Sequence, residues 1–146
     1  MANKLFLVAL TFLIICAVNA TAIDSWRIFY NKQVIFKGNA EMENPVVRFK
    51  TRQLKKTDHF VISYKIDNPD VNWQRTFYIN DTNEVNIKTI DLNKQSGSVS
   101  VNASVLKEMM NKKRPVMIYT TSLPKDPSKA ATVRVRRILL CKIEWY

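Results

Sequence analysis

The sequence predicts an all-β domain, a two-sheet antiparallel β-sandwich of immunoglobulin-like or jelly-roll-like type with about eight strands. Three observations carry that prediction. From Phe60 to Asp67 the chain alternates strictly, with Phe60, Ile62, Tyr64 and Ile66 on one side and Val61, Ser63, Lys65 and Asp67 on the other. A period of two residues places alternate side chains on opposite faces of a strand, which no helix can do. Turn chemistry recurs at short intervals, at Asn68-Pro69-Asp70, Asn80 to Asn83 and Asn93 to Gly97, as it does where short strands are joined into a sandwich. Only one stretch, near 105–112, has helical spacing.

Taken in order, the chain opens with Lys4, then an apolar run from Leu5 to Val18 broken only by Thr11, then Val18-Asn19-Ala20. A positive start, a short apolar centre and small residues at the cut define a secretory signal peptide. Cleavage is expected after Ala20, with Ala22 as the alternative, leaving 21–146 as one domain. A membrane span needs about 20 apolar residues, so this run is too short to be an anchor. Cys16 follows Ile15 rather than the small residue of a lipobox, which argues against lipidation. The mature chain is therefore expected to be secreted, periplasmic or extracellular, with no membrane span.

Trp26, Ile28, Tyr30, Val34 and Phe36 share one parity, interrupted at Asn31-Lys32, so this region reads as one bent strand or a small hairpin. Val46 to Lys50 alternates again, with Val47 and Phe49 inward. Thr51 to Asp58 is a basic loop containing Arg52, Lys55 and Lys56. After the Phe60 strand, Pro69 removes a donor and keeps Asn68 extended, which ends the pairing. Arg75 to Asn80 is a short strand with Phe77 and Ile79 on one face. Val85 and Ile87 share one parity, Ile90 and Leu92 the other, and a β-bulge near Lys88-Thr89 would absorb the slip. Val99, Val101 and Ala103 alternate with Ser98, Ser100 and Asn102.

The helical stretch runs from Val105 to Lys112, with Ser104 as its expected cap and Val105, Leu106, Met109 and Met110 on one face. Two turns of helix do not persist without tertiary packing. The last thirty residues hold two further β-branched and aromatic runs, joined by a link with Pro124 and Pro127. From Val133 the odd positions are Val133, Val135, Arg137, Leu139, Cys141, Ile143 and Trp145. By that parity Arg137 stands on the core face. A lone buried guanidinium is very unfavourable, so Arg137 must reach the rim, sit at a bulge or pair with an acid, and an ion pair or a rim position is expected.

Composition restricts the chemistry. The chain has 23 Lys and Arg against 12 Asp and Glu. Signal removal takes Lys4 and no acid, lowering the net charge from +11 to +10. One histidine, His59, and one mature cysteine, Cys141, offer no nucleophile–base arrangement and no zinc spacing. Two glycines leave no phosphate-cradling loop. No catalytic residue, metal site or cofactor is assigned. The cations do cluster. Arg52, Lys55 and Lys56 follow Lys50; Lys112, Lys113 and Arg114 form a second group; Arg134 and Arg136 adjoin Arg137 in a third.

The expected function is a non-enzymatic binding protein for an unidentified protein or glycan partner. The alternative is a polyanion-binding module (nucleic acid, glycolipid or acidic glycan) that uses these clusters. Convergence of the clusters on one face favours the second, dispersal the first. Asn80-Asp81-Thr82 and Asn102-Ala103-Ser104 match the N-glycosylation sequence.

Overall fold

A computed structural model describes residues 23–51, 54, 55 and 57–146. The expected signal peptide, with both its cut sites, lies outside the described residues, as do Arg52 and Lys56. The strands are β1 (Ser25–Tyr30), β2 (Gln33–Asn39), β3 (Val46–Phe49), β4 (His59–Lys65), β5 (Trp73–Asp81), β6 (Asn86–Leu92), β7 (Gly97–Asn102), β8 (Val116–Pro124) and β9 (Ile138–Trp145). Helix α1 (Ala103–Asn111) follows β7, and the single turn α2 (Pro127–Ala130) lies between β8 and β9.

The strands form two sheets, in the orders β2-β1-β4-β7 and β3-β9-β8-β5-β6. This is a β-sandwich and not a closed barrel. In one sheet β4 neighbours β7, and in the other β5, β8 and β9 are adjacent. Every pair is antiparallel except β3 and β9, which run parallel from Val46↔Lys142 to Phe49↔Trp145. The chain thus changes sheets between β2 and β3, and β3 covers an edge of β9 that would otherwise be open.

Local chemistry explains the elements. Asn31 and Lys32 both have positive φ (44° and 71°), the tight turn that suits a two-residue hairpin between β1 and β2. The bulge in β6 falls at Ile87, since Ile79 pairs with Lys88 and Asn80 with Asn86. It leaves Ile87, Ile90 and Leu92 all half-buried. Asn102, not Ser104, caps α1: its side chain accepts from the Ser104 N–H at 2.8 Å.

Strand β9 is shorter than its apolar pattern suggests, because 133–137 is irregular and largely exposed. It also contains a bulge. Ile118 pairs with Cys141 but Tyr119 pairs with Leu139, so Leu140 is the extra residue. The bulge inverts the parity of everything before it. Leu140, Cys141 and Ile143 are fully buried, whereas Arg137 is turned onto the outer face of the sheet. There its guanidinium stacks 3.7 Å from the Tyr119 ring and lies 3.4 Å from Glu84.

The core lies between the sheets. Trp26, Ile28, Phe60, Ile62, Tyr64, Val99 and Val101 come from one, and Val47, Phe49, Phe77, Ile79, Val116, Ile118 and the buried part of β9 from the other. Trp26 Nε1 donates to the Leu140 carbonyl at 2.9 Å. That bond joins the sheets through a carbonyl that the bulge takes out of the ladder. Leu106 and Met110 of α1 close the core at one end.

Candidate binding surfaces at the two ends

The sandwich has a loop end, where β4–β5, β6–β7 and β8–β9 are joined, and a helix end, built from the 31–32 turn, the 50–58 loop, α1 and the last residues. The two are constructed differently.

Under the loop end lies a buried cation that the sequence pattern did not single out. Arg75 is 2% exposed, on the inward face of β5. Its guanidinium sits 3.7 Å from the Tyr64 ring, which itself stacks on Trp26 at 5.9 Å between centroids. Arg75 Nε donates to the Gln95 carbonyl at 2.7 Å and Nη1 to Thr120 Oγ1 at 3.3 Å. Burial lowers the Arg75 pKa. Tyr64 is shifted up by burial and by donating to Asp24 at 2.7 Å. A Cβ at Gly38 would come within 2.6 Å of the Trp26 indole, so the glycine is what lets β2 close over this stack.

This arrangement fixes the loops above it. Gln95 is held by Arg75 and accepts, through Oε1, from the Asp70 N–H at 2.8 Å. Ser96 Oγ accepts from the Ile66 N–H at 2.8 Å, and Lys125 N donates to the Asn72 carbonyl at 2.8 Å. Between these loops is an open groove of about 440 Å³, lined by Pro69, Asp70, Val71, Asn93, Lys94, Gln95, Ser96 and Lys125. Val71 is 80% exposed. Arg134 and Arg136, both exposed, belong to this end; the Arg136 charge is felt at the Tyr64 hydroxyl.

The helix end has an apolar interior. Tyr30, Phe49, Phe60 and Trp145 pack edge to face, with Tyr30 to Phe49 at 4.7 Å and Phe49 to Trp145 at 6.3 Å. A buried acid of this end, Asp58, ties the chain before β4 to the 31–32 turn. The carboxylate accepts from the Tyr30 hydroxyl, from Asn31 Nδ2 at 2.9 Å and from the Lys55 N–H at 2.7 Å. Those bonds, Tyr30's first, hold the Asp58 pKa below the usual carboxylate range. Burial and the same acid raise Tyr30 to about 12.

Here the first two basic clusters meet. Tyr146 N donates to the Phe49 carbonyl at 3.1 Å, and Thr51 N donates to the Tyr146 carbonyl at 3.0 Å. Trp145 Nε1 donates to the Arg114 carbonyl at 2.8 Å. These bonds bring the Arg114 backbone to the Trp145 indole and Lys50 to the exposed Tyr146, whose ring lies 5.9 Å from Lys50 Nζ. Lys55 is exposed on the loop below, and Lys113 is exposed beside Arg114. Lys112 is partly neutralised by Glu108 at 2.6 Å. Arg52 and Lys56 of the first cluster lie outside the described residues. The third cluster is therefore separated from the other two, and Arg137 is already paired.

No nucleophile–base pair is assembled from His59 and Cys141. His59 is exposed at the start of β4, whereas Cys141 is fully buried in the other sheet, its thiol pKa raised by burial. Among the described residues no three His, Cys, Asp or Glu side chains are grouped as metal ligands, and no helix is long and apolar enough to cross a membrane. Asn80 is 6% exposed, beneath Arg137, while Asn102 is exposed but engaged as the α1 cap.

In comparisons with known proteins, the chain matches no family model and no curated relative.

Proposed function

We propose that this chain is an exported, non-enzymatic binding module, acting outside the cytoplasm, whose helix end engages a polyanion. The observation that carries the reading is that two basic clusters, distant in sequence, are both tied to the last two residues, one through the Arg114 carbonyl on Trp145 and the other through Lys50 at Tyr146. Lys50, Lys55, Lys113 and Arg114 are solvent-facing cations, and at that end Asp58, Glu108 and Glu144 are already engaged by hydrogen bonds and ion pairs. Unneutralised cations of one sign gathered on one surface attract a chain of anions and release its counterions on binding.

The test is retention on immobilised heparin as a function of salt. Roughly four neutralised anions, at about 0.7 each, imply a log–log salt slope of about −3. Elution at low salt with a slope near zero would reject the reading.

A second reading has its own support in the loop-end groove, where three loops are fastened over Arg75 in the manner of a preformed recognition surface. In that case the partner is a protein or a neutral glycan. Val71→Asp would then abolish partner binding while leaving heparin retention unchanged.

A further inference from the structure

Five non-glycine residues among those described have positive φ: Asn31, Lys32, Asn44, Glu84 and Lys113. Asparagine tolerates the left-handed region through its short polar side chain. Glu84 has a visible use, since its carboxylate meets Arg137 at 3.4 Å. Lys32 and Lys113 have neither excuse. Lys32 (φ 71°) occupies the second position of the β1–β2 turn, where glycine is strongly preferred. Lys113 (φ 50°) follows the cap of α1, with its N–H on the Met110 carbonyl and the Arg114 N–H on the Met109 carbonyl. That is the left-handed helix stop at which glycine is again the usual residue. Both side chains are exposed, and neither makes a hydrogen bond or ion pair among the described residues. Both stand at the helix end. The 31–32 turn adjoins the 50–58 loop, through Asn31 N to the His59 carbonyl at 3.1 Å and Asn31 Nδ2 to Asp58.

We propose that Lys32 and Lys113 are binding residues of the helix-end surface, lysines kept in left-handed backbone because their ammonium groups contact an acidic linear glycan. The inference rests on the polyanion reading above and adds to it a residue from a third segment, Lys32, together with a class of ligand. Sulfate and carboxylate groups strung along a flexible sugar chain call for dispersed point charges, which lysine supplies. Arginine's planar fork is the better reader of phosphates and base edges. The described cations of the turn, the 50–58 loop and α1 with its stop are Lys32, Lys50, Lys55, Lys107, Lys112 and Lys113 against Arg114, while Arg48 of β3 is paired with Glu144. Tyr146 is the exposed aromatic among them, too few for a base-stacking platform.

The experiment separates the backbone from the charge. Lys32→Gly and Lys113→Gly relieve the left-handed strain, partly offset by the looser unfolded chain. Each is expected to raise the melting temperature by about 2 °C while eluting from heparin at distinctly lower salt than the parent protein. Lys113→Asn, uncharged but tolerant of this backbone, should elute with Lys113→Gly, and Lys113→Arg with the parent. Glycine variants that bind heparin like the parent, whatever their melting temperature, would overturn the proposal and leave the polyanion reading standing. A parent protein that heparin does not retain would instead remove the polyanion reading itself. Tighter retention on single-stranded DNA than on heparin would overturn the glycan assignment.

Discussion

The two ends of this sandwich handle positive charge in opposite ways. At the loop end the decisive cation is inside: Arg75 is sealed between Trp26–Tyr64 and Thr120, and its donors hold the Gln95 carbonyl. At the helix end the interior is aromatic and the cations are outside, Lys50 beside Tyr146, with two lysines of that end sitting in backbone conformations they do not favour. A buried charge must be satisfied locally and so fixes the chain that satisfies it. A solvated charge fixes nothing, contributes little to folding, and remains free for a partner. Stability should therefore respond to mutation at the loop end and polyanion binding to mutation at the helix end.

The largest expected effect is at Arg75. Arg75→Ala removes a buried side chain and leaves the Gln95 carbonyl without its donor, which should cost about 3 kcal/mol, read as a midpoint shift in urea. Arg75→Met keeps the volume and should cost less. If both variants unfold like the parent, the buried cation does not organise the loop end. Next is Gly38→Ala, whose Cβ meets the rigid Trp26 indole at 2.6 Å; overpacking of this kind should cost about 2 kcal/mol by the same measurement. Trp26→Phe keeps an aromatic ring but loses the bond to Leu140 O, for about 1 kcal/mol.

Sequence alternation carried the sandwich and the faces of β4, β5 and β7, because a half-buried strand writes its register into every second residue. It misplaced Arg137. A bulge at Leu140 reverses parity, and a bulged residue that is itself apolar leaves no mark on the pattern. The opposite error hid Arg75, which alternates in phase with Phe77 and Ile79 and so belonged to the inward face by the same rule. Its charge made it look like the start of the strand. The convergence of Lys50 with Arg114 depends on the parallel β3–β9 pair, a long-range contact with no local signature.

pH sharpens the comparison further. Asp58 has a depressed pKa in the folded protein, so its contribution is complete above the unfolded carboxylate range and is lost as pH falls through the lower, folded value. Melting temperature should fall below about pH 4, less steeply in Asp58→Asn. At the other extreme Tyr30 is raised to about 12, so its contribution is complete below about pH 10 and is lost between there and about 12. Tyr30→Phe should flatten that alkaline limb. The smallest effect on stability is expected at the exposed cations. Lys50→Ala and Lys55→Ala should leave the unfolding midpoint within about 0.5 kcal/mol of the parent.

The central claim is that the helix end, not net charge, binds polyanions, and charge-matched variants test it most directly. Lys50→Glu/Lys113→Glu/Arg114→Glu and Lys125→Glu/Arg134→Glu/Arg136→Glu reverse three cations each, the first set at the helix end and the second at the loop end. Elution from heparin at much lower salt for the first triple variant, with the second near the parent, is the predicted result. Equal losses in the two, or a greater loss in the second, would contradict it.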